Sequence, residues 1–133
     1  MRLESKIGKI ESTDERIYNF LTDFNNFKEF IPSDKLQNWQ ADESSCRFSI
    51  NPIGETGVKI IEKQPFKLIK LTGIEDSKFD FKLWVQLKQL QENDTRIKLT
   101  LEADLNPMFQ TMAKKPLQEF IDKLVEQLSK YSF

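Results

Sequence analysis

Chemistry in a protein chain needs nucleophiles, proton carriers or metal ligands, and this sequence holds few of them. Its 133 residues include no histidine and one cysteine, Cys46. Without histidine, the Ser-His-Asp and Cys-His nucleophile systems are missing in their usual form. Zinc would have only carboxylates and one thiolate to bind, which is not its usual donor set. Cys46 has no imidazole to activate it and reads as a small apolar filler. Acid–base work would fall to carboxylates, lysines or tyrosines. Glu55, Glu62, Glu75 and Asp80 stand in turns or at outward positions of alternating segments. No carboxylate has the parity of the apolar interior. Ser5, Cys46 and Gln89 do have that parity, and each can hydrogen-bond a ligand carbonyl or hydroxyl. Gln89 lies near a strand end, where exposure is expected. An enzyme built on this chain would have to use Ser5, Tyr18 or Tyr131. No metal and no cofactor is expected.

Composition narrows the class. The chain is long enough for one domain, 1–133, with one core. Charged residues make 31% and apolar ones 38%, a soluble globular balance. The formal net charge is −1, and neither half is strongly basic, so nucleic acid is not an expected partner. A lone cysteine fits a reducing compartment. The opening MRLESKIGKI is charged throughout and lacks the apolar core of a secretory signal. No apolar run approaches the ~20 residues of a membrane span. The expectation is a cytoplasmic protein without a membrane-spanning segment. Eleven phenylalanines imply a large, purely apolar interior.

The elements follow from periodicity. Leu117, Phe120, Ile121, Leu124, Val125 and Leu128 form one helical stripe, with Tyr131 closing it. A helix over 108–131 would span roughly 36 Å and needs a broad apolar surface to lie against. Pro116 is expected to kink it, or to split it into a piece near 108–114 and a main piece from 116. The surface comes from two segments of strict period two. Phe79, Phe81, Leu83, Val85 and Leu87 form one inner row, and Ile97, Leu99, Leu101, Ala103 and Leu105 the next. Such strands belong to an antiparallel sheet with one wet face. Leu3 to Ile10 reads as a first strand, with Leu3, Ser5 and Ile7 inward. Ser12 and Glu15 form a capping box that opens a helix carrying Ile17, Phe20 and Leu21. Asp23 starts a second short helix, with Phe24, Phe27, Phe30 and Ile31 inward, and Pro32 ends it. Further strands are expected near 36–42, around Cys46, Phe48 and Ile50, over 56–63 and over 67–74. The order is β-α-α-β-β-β-β-β-β-α. The fold class is α+β, a curved seven-stranded antiparallel sheet around a long C-terminal helix, with two short helices after the first strand.

Three stretches carry a family resemblance. STDERIYNFLTDFNNFKEFIP, PFKLIKLTG and FKLWVQLKQLQENDTRIKLTLEADLNPMF resemble the helix pair, the post-proline strand and the long hairpin of one superfamily. The chain resembles the START-like, or SRPBCC (birch-pollen-allergen-like), helix-grip proteins. Within them it is most similar to the polyketide cyclase/dehydrase and carbon monoxide dehydrogenase G-subunit-like group. These are fold signatures, not catalytic ones.

The resemblance implies a pocket between sheet and last helix. Its ligand would be an apolar or amphipathic small molecule: a lipid, sterol, polyketide or prenyl compound. The residues expected to line it are Phe27, Phe30, Ile31, Phe48, Ile50, Phe79, Phe81, Leu83, Leu99, Met108, Met112 and Phe120. Phe24, Phe27, Phe30 and Ile31 are candidates for its gate, since short helices open more cheaply than a sheet. Met108, Phe109 and Met112 are expected opposite them, methionine being adaptable in shape. The phenylalanines either line a void or fill it. Three functions stay open: a non-covalent binder, a cyclase or dehydratase, and a protein-interaction module with a filled core. The last would show an exposed apolar patch around Trp39 or Trp84. Lys63, Lys67, Lys70, Lys78, Lys82 and Lys88 give the outer sheet face a basic cast, read as a solvated face or as a dock for an acidic protein.

Overall fold

A computed structural model of the chain describes residues 1–29, 36–50, 54–74 and 80–133. In chain order the elements are β1 (Arg2–Glu4), β2 (Gly8–Ile10), α1 (Asp14–Leu21), a 3-10 helix (Phe24–Glu29), β3 (Leu36–Ala41), β4 (Ser45–Ile50), β5 (Gly54–Gln64), β6 (Leu68–Gly73), β7 (Asp80–Gln91), β8 (Asp94–Asp104) and α2 (Pro107–Lys130).

The strongest alternation forms the centre of the sheet. In the β7–β8 hairpin, Leu83 faces Leu101, Val85 faces Leu99 and Leu87 faces Ile97. All six are buried or half-buried, while Lys82, Gln86 and Lys88 face water. The sheet runs β1-β8-β7-β6-β5-β4-β3, with β2 also paired to β8, and its pairings are antiparallel. One apolar cluster joins its inner face to α1 and to the stripe Ala113, Leu117, Ile121, Leu124, Val125 and Leu128 of α2.

Eight strands replace the expected seven because the first segment breaks in two. Ser5 donates its N–H to the Leu99 carbonyl at 2.8 Å. Its Oγ accepts the Leu99 N–H, also at 2.8 Å, and donates to the Lys6 carbonyl. A side chain thus takes a place in the ladder, and the chain slips phase. Leu3 and Ser5 stay buried, but Ile7, expected inward, is 65% exposed, and Gly8 and Ile10 turn in instead. The polar edge of α2 closes over the break. Lys6 N–H donates to Asp122 Oδ1 at 2.8 Å, Gln118 Nε2 donates to the Glu4 carbonyl at 2.9 Å, and Lys6 pairs with Glu126. Gly8 permits the close approach: a Cβ there would lie 2.5 Å from Val125 Cγ1 and 2.6 Å from Ser129 Oγ.

Pro116 does not split the last helix, which runs without interruption from Pro107 to Lys130. A proline removes the N–H that would bond to the carbonyl four residues back, here that of Met112. Met112 stands on the exposed side of the helix, where water can serve that carbonyl. Asn106 caps the helix by accepting the Phe109 N–H at 3.0 Å, and Pro107 takes the first-turn position where a missing N–H costs nothing.

The start of α1 is also shifted by one residue. Thr13, not Ser12, is the cap, its Oγ1 accepting the Arg16 N–H at 3.3 Å. Ser12 is buried, and its carbonyl accepts from Thr95 Oγ1 at 2.7 Å. Gln89, exposed as expected, serves the same helix end by accepting the Asp14 N–H at 2.9 Å. Rings of Phe20, Tyr131 and Phe133, with centroids 4.9 to 5.2 Å apart, bring the chain after α2 against α1.

Candidate functional site

By backbone proximity, α2 packs on β1, β2 and β8, at one side of the sheet. Toward β4–β7 the helix and sheet diverge, and the gap between them is the cavity. From α2 come Phe120, Leu124 and Leu128. The sheet contributes Cys46 and Phe48 of β4, Val58 of β5, Ile69 and Leu71 of β6, Leu83 and Val85 of β7, and Leu99 of β8. Leu21 of α1, with Phe24 and Phe27 of the 3-10 helix, closes one end, and Trp39 of β3 closes the edge.

Two ring pairs form this end wall. Trp39 stacks on Phe48, centroids 5.9 Å apart and planes 16° from parallel. Phe24 and Phe27 lie 5.4 Å apart. Asn38 precedes Trp39 with φ of 58°, at a bulge where the β3–β4 register shifts between Gln37 and Gln40. Bulges re-aim side chains, and this one stands beside Trp39. The 3-10 helix is tied to the β3–β4 turn by Phe24 N–H donating to the Glu43 carbonyl at 3.1 Å.

The cavity volume is about 70 Å³. That is below the roughly 150 Å³ of a dry apolar cavity that accepts benzene. It is well below the ~300–1,000 Å³ of ordinary ligand pockets. Four phenylalanines line the space, and the wall as a whole leaves little of it open. Every residue of the lining is apolar except for the Cys46 thiol and the Trp39 indole N–H. Burial pushes the Cys46 thiol up to about 12, so it is a neutral thiol at physiological pH. Such a surface offers contact area and no charge.

Of the residues expected at a pocket, Phe27, Phe48, Leu83, Leu99 and Phe120 come together here. Phe81 is buried but borders a different, open and charged groove, with Arg2, Asp80 and Glu102. Met108 and Met112 stand outside the cavity, 74% and 50% exposed, and Phe109 beside them is 47% exposed. They lie on the solvent side of the first turns of α2, whose buried stripe runs through Ala113 and Leu117 instead. Phe30, Ile31 and Phe79, and the side chain of Ile50, lie outside the described residues.

The polar candidates are engaged elsewhere. Ser5 is bound into the β1–β8 ladder. Tyr18 is buried edge-on against Phe66 at 5.6 Å, and burial raises its phenol above the ordinary tyrosine range. Tyr131 belongs to the ring cluster at the end of α2. Glu55, Glu62 and Asp80 are exposed. Among the described residues, no group of three or more acidic or cysteine side chains is placed to hold a metal. Trp84 lies on the outer face under Lys70, whose Nζ is 5.4 Å from the ring centroid, while Trp39 is half-buried over the cavity.

Sequence reasoning missed Leu21, Trp39, Val58, Ile69, Leu71, Val85, Leu124 and Leu128 as wall residues. The helix residues carried a signal, since Leu124 and Leu128 share the stripe of Phe120. Trp39 carried none, because its inward turn accompanies a bulge.

No family model matches the sequence, and no curated protein matches it. Solved structures do match in fold. A protein of Thermus thermophilus aligns at TM-score 0.73 and 17% identity, over 98% of this chain and 95% of that one. A START superfamily protein of Mycobacterium smegmatis aligns at TM-score 0.67 and 14% identity, over 96% and 94%. A point mutant of Thalictrum flavum norcoclaurine synthase, solved with a transition-state analogue, aligns at TM-score 0.64 and 15% identity, over 96% and 94%. Among the described residues no helix is long and apolar enough to cross a membrane.

Proposed function

We propose that this chain, which has the START-like helix-grip fold, binds an apolar small molecule non-covalently between its sheet and its last helix. The observation that carries the reading is the partly open space under Phe120, Leu124 and Leu128, lined almost wholly by apolar side chains. Proteins pack their interiors densely, so a space bounded by five aromatic rings is a place where rings can shift.

At about 70 Å³ the space is too small for a lipid-sized guest, which requires it to enlarge. Phe27, Trp39 and Phe120 are the half-buried wall residues on the helices and the edge strand, and they are the ones to yield. Among the described residues β3, the strand of Trp39, ends the sheet and has β4 as its one partner strand. Edge elements open at lower free energy than a sheet centre. The guest would be a lipid, sterol, polyketide or prenyl compound, with its apolar part inside. The lining favours a binder over a cyclase or dehydratase. Such an enzyme needs a polar group against the guest, and Ser5, Tyr18 and Tyr131 are not in the wall.

The test is titration with cis-parinaric acid, a fluorescent fatty acid, together with mass spectrometry of organic extracts of the purified protein. The expected result is saturable binding that quenches tryptophan emission. Leu83→Trp should fill the space and abolish binding without unfolding the chain. Trp39→Ala should enlarge the space and strengthen binding. Failure of both the native chain and Trp39→Ala to bind would overturn the reading, as would binding indifferent to Leu83→Trp.

A further inference from the structure

The largest exposed apolar side chains on α2 sit together at its beginning. Met108 is 74%, Phe109 47% and Met112 50% exposed. Met108 and Met112 are one helical turn apart, and Phe109 is three residues from Met112, so the three share a face. Lys115 follows Met112 by three positions on that face, and Lys114 stands beside it, both exposed. From Asn106 to Gln118 the chain has these two lysines and no carboxylate. The nearest acids along the sequence are Asp104, before the cap, and Glu119, past Pro116. In a chain with 21 acidic residues, thirteen consecutive positions without one is a local charge bias.

We infer that this patch docks the protein on an anionic lipid surface. Flexible methionines and a phenylalanine can enter the acyl boundary, while the lysines extend their stems along it and place their ammonium groups among phosphates. The patch is preformed. Asn106 Oδ1 accepts the Phe109 N–H, Gln110 Nε2 donates to the Leu105 carbonyl at 2.7 Å, and Thr111 Oγ1 donates to the Pro107 carbonyl at 3.1 Å. Docking thus orders nothing new at the helix start. The lack of carboxylates argues for an anionic partner, and the exposed, flexible methionines argue for one that takes apolar side chains into itself. The patch also lies about 12 Å along α2 from Phe120, at 1.5 Å per residue, so an apolar guest leaving a bilayer would have a short path to the cavity. Docking does not depend on the cavity being a binding site.

The test is co-sedimentation of the full chain with vesicles of phosphatidylcholine alone and of phosphatidylcholine with phosphatidylserine. Binding is expected only to the second kind, and it should weaken as salt rises. Met108→Asp with Met112→Asp should lower the bound fraction about ten-fold or more, since burial of two methionines is lost. Lys114→Glu with Lys115→Glu should weaken binding and remove its salt dependence. All four positions are exposed, so the variants should keep the native circular dichroism and melting temperature. No sedimentation of the native chain, or sedimentation unchanged in the methionine variant, overturns the inference. Self-association that the methionine variant abolishes would instead assign the patch to a second copy, and also overturns it.

Discussion

Ser5 Oγ accepts the backbone N–H of Leu99 at 2.8 Å, in a position where a continuous strand would present a carbonyl. Both residues are buried. The bond lets β1 end and β2 begin without leaving the β8 amide unpaired. Ser5→Ala removes the acceptor and strands that N–H away from water. A buried unsatisfied donor costs about 1–3 kcal/mol. Urea unfolding should show a loss of that size, with an unchanged slope. A loss below about 0.5 kcal/mol would mean that the ladder can close without the hydroxyl.

Gly8 makes a second demand on the same junction. A methyl group there would meet Val125 Cγ1 at 2.5 Å, and Val125 is fully buried and stiff at χ1. Alanine would gain about 0.5–1 kcal/mol by restricting the unfolded chain. Overpacking a filled contact costs about 1–3 kcal/mol, so the clash wins. Gly8→Ala should lower the melting temperature by several degrees, and the smaller side chain of Val125→Ala should partly restore it. A melting temperature equal to or above the native value would show that α2 shifts freely.

Pro116 sits inside α2 and leaves the Met112 carbonyl without its helical partner. Proline in a helix interior costs up to about 3 kcal/mol relative to alanine. Its restriction of the unfolded chain returns about 0.4–1 kcal/mol. Pro116→Ala should therefore stabilise the protein by about 1–2 kcal/mol, seen as a higher urea midpoint. A lower midpoint would mean that the proline shapes the helix for a contact that alanine loses.

The parts of this fold that the sequence reveals are those set by period alone. Leu83, Val85, Leu99 and Leu101 alternate so regularly that one register turns all of them inward, and a slip by one would turn all of them out. The stripe from Leu117 to Leu128 fixes the inward face of α2 in the same way. Single hydrogen bonds leave no period. The exchange between Ser5 and Leu99 breaks a strand that alternation alone would continue, and Thr13 wins the cap from Ser12 by one position. The site is less legible than the fold. Phe27, Phe48, Leu83, Leu99 and Phe120 meet around one space, but its size depends on ring placement at the scale of an ångström. Met108 and Met112 look like core residues by type and stand in water by helix phase.

Cys46 gives the cavity wall a titratable reporter. Burial raises its thiol from 9.0 to about 12, with a hydrogen bond from the Val58 backbone acting the other way and the nearby Asp42 charge adding to the rise. The unfolded chain exposes the thiol, which then ionises at its ordinary, lower pKa. Below that pKa both states hold the proton, and the native advantage is complete. Between about 9 and about 12 the unfolded state releases a proton that the native state keeps, so stability falls as pH rises. The slope from this one group approaches about 1.4 kcal/mol per pH unit. Cys46→Ala abolishes that share, so its stability should decline less steeply than that of the native chain over the same window. Urea unfolding of both proteins at pH 8, 9 and 10 measures the difference. The thiol should also react slowly with a thiol reagent near neutral pH and faster once urea opens the chain. Parallel pH profiles for the two proteins, or fast labelling of the native state, would mean that water already reaches the wall between Cys46 and Val58.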